Sequence, residues 1–147
     1  MNRVILFLLS AIIISACNST TKETEFEQVI VERYPGGEPK VVQYFEVFDG
    51  KRSLVKEESF YSCGKRMTSG KLSDNLRTGT WESYYKNGAK WTDAVYVKGI
   101  NHGPANHWHE NGKLYYKGQY KNGKRAGKWS FFDKEGHLLK EINYDKK

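Results

Sequence analysis

Glycine returns every 24 residues, at Gly64, Gly88, Gly112 and Gly136. The residues between these glycines repeat with them. Gly79, Gly103 and Gly127 each follow a framing glycine by 15 residues, and Leu72, Tyr96, Tyr120 and Tyr144 follow by 8. Tyr84, Trp108 and Phe132 follow by 20. A period of this size implies stacked units, each of which buries its apolar surface only against the next. Helix is not expected after residue 17, because glycine interrupts every short stretch and no 3.6-residue apolar periodicity survives.

Within a unit, residues 66–72, 90–96 and 114–120 alternate as half-buried strands do, most clearly at Tyr116, Gly118 and Tyr120 against Lys117 and Gln119. Lys121-Asn122-Gly123-Lys124 is a tight hairpin turn, since Asn-Gly supplies the positive φ angles that such a turn requires. Asp74-Asn75 and Lys98-Gly99 hold the same place. A second strand is expected over 80–86, 104–110 and 128–134, before Asn87-Gly88, Asn111-Gly112 and Glu135-Gly136 turn the chain again. The small residue at Gly70, Ala94 and Gly118 makes room for a neighbouring ring, with Trp81 and Trp129 as its candidates. The middle copy carries Ala105 in place of that Trp.

The expected fold is all-β: an elongated, single-layer antiparallel meander of about nine or ten strands. Units 64–87, 88–111 and 112–135 are full repeats, and 136–147 is half of one. Residues 29–63 form a degenerate first unit, or cap, with a strand over 40–48, an Asp49-Gly50 turn and a return over 53–61. Folded sequence is expected to start near Phe26 or Val29.

The chain opens with Met1-Asn2-Arg3 and an apolar run over 4–14, too short for a membrane span of about 20 residues. It reads as a secretion signal over 1–16. Ile14-Ser15-Ala16-Cys17 resembles a bacterial lipobox, which implies cleavage before Cys17 and lipidation of that residue. Acyl chains contribute about 0.8 kcal/mol per buried methylene, so several would anchor the chain to a membrane. Residues 17–28 are polar and read as a flexible tether. Asn18 is not an acidic retention signal, which favours the outer over the inner membrane of the cell envelope.

Charge is unevenly placed. Residues 17–63 carry 6 basic and 9 acidic side chains, whereas 64–147 carry 17 and 8. The basic half can bind anionic lipid headgroups or envelope glycans, or attract an acidic partner, and the exported address argues against nucleic acid. With Cys17 committed to lipid, Cys63 has no intrachain partner and is expected to be a partly buried small hydrophobe.

The pattern Tyr-x-Asn-Gly followed by Gly-x-Tyr-x-Asn-Gly-Lys-x-x-Gly-x-Trp, best seen over 111–132, resembles the bacterial variant of the MORN repeat. It is similar to the group known as YwqK-family antitoxins. The resemblance covers roughly residues 34–144 and implies an extended β-hairpin array that binds a partner; the antitoxin description implies neutralisation of a protein.

Catalysis finds no support. No Gly-x-Ser-x-Gly elbow is present, and Glu57 and Glu58, adjacent on a strand, point to opposite faces. His102, His107 and His109 lie within eight residues but lack a fourth ligand, so they read as solvent-facing side chains and no metal or cofactor is expected. Adjacent rings at Tyr84-Tyr85, Tyr115-Tyr116 and Phe131-Phe132 are expected to populate both faces of the sheet. The candidate binding surface is therefore Tyr84, Tyr85, Trp108, Tyr115, Tyr116 and Phe132, suited to protein, peptide or glycan contact, with an envelope protein as the expected partner, because rings offer large contact area at low entropic cost.

Overall fold

The computed structural model describes residues 23–146. The segment read as a secretion signal, Cys17 and the first part of the segment read as a tether lie outside the described residues. Ten strands follow one another in a single antiparallel sheet whose spatial order is the chain order. They are β1 (Glu25–Arg33), β2 (Pro39–Phe48), β3 (Lys51–Phe60), β4 (Arg66–Ser73) and β5 (Leu76–Tyr84), then β6 (Lys90–Val97), β7 (Ile100–Trp108), β8 (Leu114–Lys121), β9 (Lys124–Phe132) and β10 (Leu138–Asn143). β1 begins inside the segment read as tether, because Glu25 to Ile30 pair continuously with Val47 to Val42 of β2.

Two kinds of connection alternate. The tight turns place both central residues at positive φ: Asp49 and Gly50, Asp74 and Asn75, Lys98 and Gly99, Asn122 and Gly123. Pairing resumes at once, with Ser73 opposite Leu76, Val97 opposite Ile100 and Lys121 opposite Lys124. The second strands of the hairpins therefore start four residues earlier than the sequence reading placed them. Gly79, Gly103 and Gly127 are not strand starts but lie inside β5, β7 and β9, at φ of 64°, 121° and 62°, where the register shifts.

The wider connections are five-residue loops at 34–38, 61–65, 85–89, 109–113 and 133–137. In each, the first amide donates to the fifth carbonyl and the fourth amide to the first carbonyl, as in Tyr85 N to Ala89 O and Gly88 N to Tyr85 O, both 2.8 Å. These loops end the second strands at Tyr84, Trp108 and Phe132, two residues before the expected ends. Neighbouring loops are also tied sideways. Tyr34, Tyr61 and Tyr85 donate their hydroxyls to the carbonyls of Phe60, Tyr84 and Trp108, and His109 Nε2 reaches Phe132 O at 3.3 Å. Cys63, in one of these loops, is exposed. The expectation of partial burial fails because Cys63 lies in the loop between β3 and β4, outside the paired strands.

The two faces are held differently. On one face Trp81 and Trp129 lie flat over Gly70 and Gly118, where an added Cβ would meet the indole at 2.2 Å. Both indoles are buried, and their Nε1 groups donate to Lys71 O and Gln119 O. Arg77 and Arg125 then cover the outer ring faces, at 4.1 and 4.6 Å from the centroids, an arrangement stabilised by the ring quadrupole. The middle copy has lost both members of this stack, carrying Asn101 and Ala105. Asn101 Oδ1 is buried there without a hydrogen-bond partner among the described residues.

The opposite face carries a polar row that crosses eight strands. Glu58, Ser69, Glu82, Asp93, Asn106, Lys117, Ser130 and Glu141 stand directly opposite one another in successive pairs. Ser69 donates to Glu58, Asn106 to Asp93 and Ser130 to Glu141. Glu58, 3% exposed, also accepts from Tyr44 at 2.6 Å and pairs with Lys56 and Arg66 at 2.9 and 3.2 Å. Burial pushes its carboxyl pKa up, but the Tyr44 and Lys56 hydrogen bonds and the two cations outweigh it and hold the group below the ordinary 4.5.

A depressed carboxyl stabilises the fold above its unfolded pKa and loses that contribution as pH falls through the folded value. Unfolding midpoints in urea should therefore be flat above the ordinary carboxylate range and fall below it. Glu58→Gln should remove about 1–3 kcal/mol at neutral pH and flatten the acid limb. An acid limb unchanged in Glu58→Gln would sink this assignment.

Candidate functional site

Strand β6 pairs Thr92 with Ser83 and Lys90 with Tyr84, so Trp91 is an extra residue with no partner of its own. The same bulge recurs at Met67 in β4, Tyr115 in β8 and Leu139 in β10, always at the third residue after a framing glycine. A bulge sets two successive side chains on the side that one would occupy. Tyr115 and Tyr116 thus share a face, with ring centroids 5.4 Å apart, instead of taking opposite faces as strand alternation predicts.

The bulges assemble an aromatic cluster on the Trp-bearing face of the middle repeat. Tyr85, first residue of its loop, tilts against Trp91 at 5.8 Å. Trp91 and Tyr115 each meet His107 nearly edge-on, at 5.7 and 5.3 Å and 87° and 81°. His109 packs on Tyr115 at 4.8 Å, and Tyr116 leads onward to Trp129 at 5.5 Å. Trp91 and Tyr115 are 42% and 40% exposed, and His107 is half-buried between them.

The hydrogen bonds settle the imidazole tautomers. Trp91 Nε1 donates to His107 Nε2 at 2.8 Å, so neutral His107 carries its proton on Nδ1. His109 Nε2 lies 3.3 Å from Phe132 O, and because a carbonyl only accepts, that nitrogen is the donor. Burial lowers the His107 pKa, and His109 beside it lowers it further, which favours the neutral ring this geometry needs. Burial also raises the Tyr116 hydroxyl pKa, and Tyr85 is raised by burial and by the Glu110 charge.

Of the six residues read from sequence as a binding surface, Tyr85, Tyr115 and Tyr116 come together here. Tyr84, Trp108 and Phe132 do not. They project from the polar face: Tyr84 donates to Glu82 at 2.8 Å, Lys90 lies 5.6 Å from the Trp108 ring, and Phe132 stands opposite Leu138. His107 and His109 do share a face, through Tyr115, whereas His102 sits at the tight-turn end with Nδ1 3.1 Å from Asn122 Oδ1. No set of three His, Cys, Asp or Glu side chains is placed to hold a metal ion among the described residues. Trp91 escaped the sequence reading, although its place in the repeat, shared with Met67, Tyr115 and Leu139, was the available signal.

The polar face offers a shallow groove of about 420 Å³ over the third repeat, lined by Pro104, Asn106, Lys117, Gln119, Ser130 and Glu141. Along the wide-loop edge, Lys65, Lys86, Lys113 and Lys134 are all exposed.

The MORN repeat variant family model matches this chain three times, over 77–98, 101–122 and 125–146. Each match runs from just after one tight turn to the next, so the family's unit is the hairpin closed by a wide loop. The cluster spans the first two of these units and the start of the third. Residues before 77 lie outside the matches but continue the same sheet through β4, which pairs with β5. Comparison with curated proteins and with solved structures returned no match.

Proposed function

We propose that this chain, with its MORN-variant repeats, is a non-catalytic binding and scaffold module anchored to the cell envelope through a lipid on Cys17. MORN repeats generally serve as scaffolds for protein or lipid contact, and the reading here is a protein partner. The observation that carries it is the exposed ring cluster at Trp91 and Tyr115, mounted on paired strands and tied by the Tyr85 and His109 loop bonds. Rigid aromatic anchors of this kind lose little entropy on contact. The Ile14-Ser15-Ala16-Cys17 motif supports lipidation, and Asn18 supports the outer membrane. Neutralisation of the bound protein, as in an antitoxin, is one use such a contact could serve.

A photo-crosslinking side chain at position 115, in the native envelope, should capture one protein in stoichiometric yield. Cys17→Ser should release the chain from the membrane fraction. Retention of the Cys17→Ser chain with membranes, or a diffuse ladder of crosslinked products, would sink the reading. A second reading, contact with anionic headgroups, is favoured by the exposed lysine row at Lys65, Lys86, Lys113 and Lys134. It predicts salt-sensitive pelleting with anionic vesicles that does not depend on Tyr115.

A further inference from the structure

The sheet is open at both ends. Among the described residues, β1 and β10 each pair with one neighbour only, so the outer edge of each presents unpaired backbone groups. Each of these strands is half of a hairpin. β1 runs into the wide loop at 34–38, as second strands do, and β10 leaves the wide loop at 133–137, as first strands do. The array thus starts with a second strand and stops with a first strand.

The rows that cross the sheet end in complementary chemistry. One runs through directly opposed residues over all ten strands, from Glu32 of β1 by way of Thr68, Thr92 and Tyr116 to Lys140 of β10. An acid stands at one end of that row and a base at the other. The next row on the same face carries Trp81 and Trp129, and its ends are Val29 on β1 and Ile142 on β10. Glu32 pairs with Lys40 of β2, yet its side chain stays half-exposed, and every residue of β10 is exposed. Phe26 and Val31 on β1 and Leu138 and Leu139 on β10 add exposed apolar side chains at the same two edges.

Charge separates one pairing of edges from the others. β1 carries Glu25, Glu27 and Glu32 against Arg33 alone, so two β1 edges repel each other. Acid exceeds base over 17–63 and base exceeds acid over 64–147, so opposite ends of two chains attract and like ends do not.

We propose that the β10 edge receives the β1 edge of a second copy of this chain, an antiparallel pair that continues the sheet head to tail. Strand direction fits, because successive strands alternate and an eleventh must run as β1 does. With the rows continuing straight through the junction, Lys140 stands opposite Glu32 of the second copy, and Ile142 stands opposite its Val29. The contact is heterologous, so each pairing leaves one edge of each kind free for the next copy. Every β1 begins on the tight-turn side, so the junctions with residues 17–24 all fall along one margin of the merged sheet, as anchoring to a single membrane requires. The contact is independent of the partner reading at Tyr115, which lies on β8, inside the array.

The test is disulfide capture in the native envelope, with the full chain carrying Cys63→Ser so that the exposed native thiol is removed. Val29→Cys together with Ile142→Cys should give, on mild oxidation, a ladder of dimers, trimers and longer species. Within one chain these positions are nine strand spacings apart, on the order of 40 Å, far beyond disulfide reach. Either substitution alone should stay at the level of the Cys63→Ser parent, and co-expression of the two single variants should stop at dimers. Lys140→Glu should lower the ladder yield about fivefold, and Glu32→Lys added to it should restore the yield, a recovery that a folding defect does not produce. A double-cysteine chain that stays monomeric overturns the proposal. So does a dimer formed by Val29→Cys or Ile142→Cys alone, which would mean that like edges pair, or a charge swap without recovery. None of these outcomes alters what is captured at position 115, so the edge contact and the partner reading fail separately.

Discussion

Trp129→Ala should lower the stability of the sheet by about 3–5 kcal/mol, the cost of emptying a fully buried large aromatic site. Trp129 is 0% exposed, and it is the hub of its neighbourhood: Tyr116, Tyr120, Phe131 and Tyr144 all contact its ring. Truncation would also leave Arg125 without the ring it covers, since its guanidinium sits 4.6 Å from the ring centroid. The Nε1 bond to Gln119 O would be lost as well. Thermal unfolding followed by near-ultraviolet circular dichroism is the measurement. Trp108→Ala, on the polar face and only half-buried, should cost clearly less. Equal costs at the two positions would contradict the packing described above.

Gly118→Val should be nearly as damaging, for the complementary reason. A Cβ at residue 118 would lie 2.2 Å from Trp129 Cδ2, so the indole must leave its seat or the strands must part. Overpacking of this severity costs at least about 3 kcal/mol. The two predictions are coupled, which gives a sharper check than either alone. In a Trp129→Ala background the ring that the new valine side chain would strike is gone, and Gly118→Val should cost far less than in the native chain. Additive costs would show that the seat at Gly118 is not what the Trp ring requires. Ala94 gives the natural comparison, because the middle copy has Ala105 in place of the Trp and tolerates a Cβ at the equivalent position.

Much of the scaffold was legible because its determinants are local. Asn122-Gly123 and Asp49-Gly50 announce tight turns through the backbone angles only such residues adopt readily, and both are found there. The pairing of Trp81 with Gly70 and Trp129 with Gly118 could be read because a missing side chain and an oversized one recur at fixed offsets. The bulges at Met67, Trp91, Tyr115 and Leu139 could not. An extra residue in a strand leaves no mark in composition, yet it reverses the facing of everything on one side of it. That is why Tyr115-Tyr116 was assigned to two faces, whereas Trp91 was overlooked although it shares its repeat position with Tyr115. The polar row was hidden for another reason. Ser69, Asp93, Lys117 and Glu141 occupy one repeat position with four different chemistries, so their common role appears only when the strands are placed side by side. The exposure of Cys63 likewise depends on a loop conformation that residue type does not dictate.

The sideways bonds between wide loops reach about one repeat along the chain and no further: Tyr61 to Tyr84, Tyr85 to Trp108, His109 to Phe132. Each hairpin consequently needs only its two neighbours to be correct, and nothing in the sheet measures total length. Excising 88–111 would join Asn87 to Gly112 and rebuild a loop of the same Tyr-Lys-Asn-Gly-Lys kind, with the flanking rungs closing across the splice. Gene-level duplication or loss of whole blocks is therefore an easy route to longer or shorter relatives. It also lets one block drift away from the common pattern while its neighbours keep the array folded, and the block that has drifted is the one bearing Asn101, Ala105 and His107.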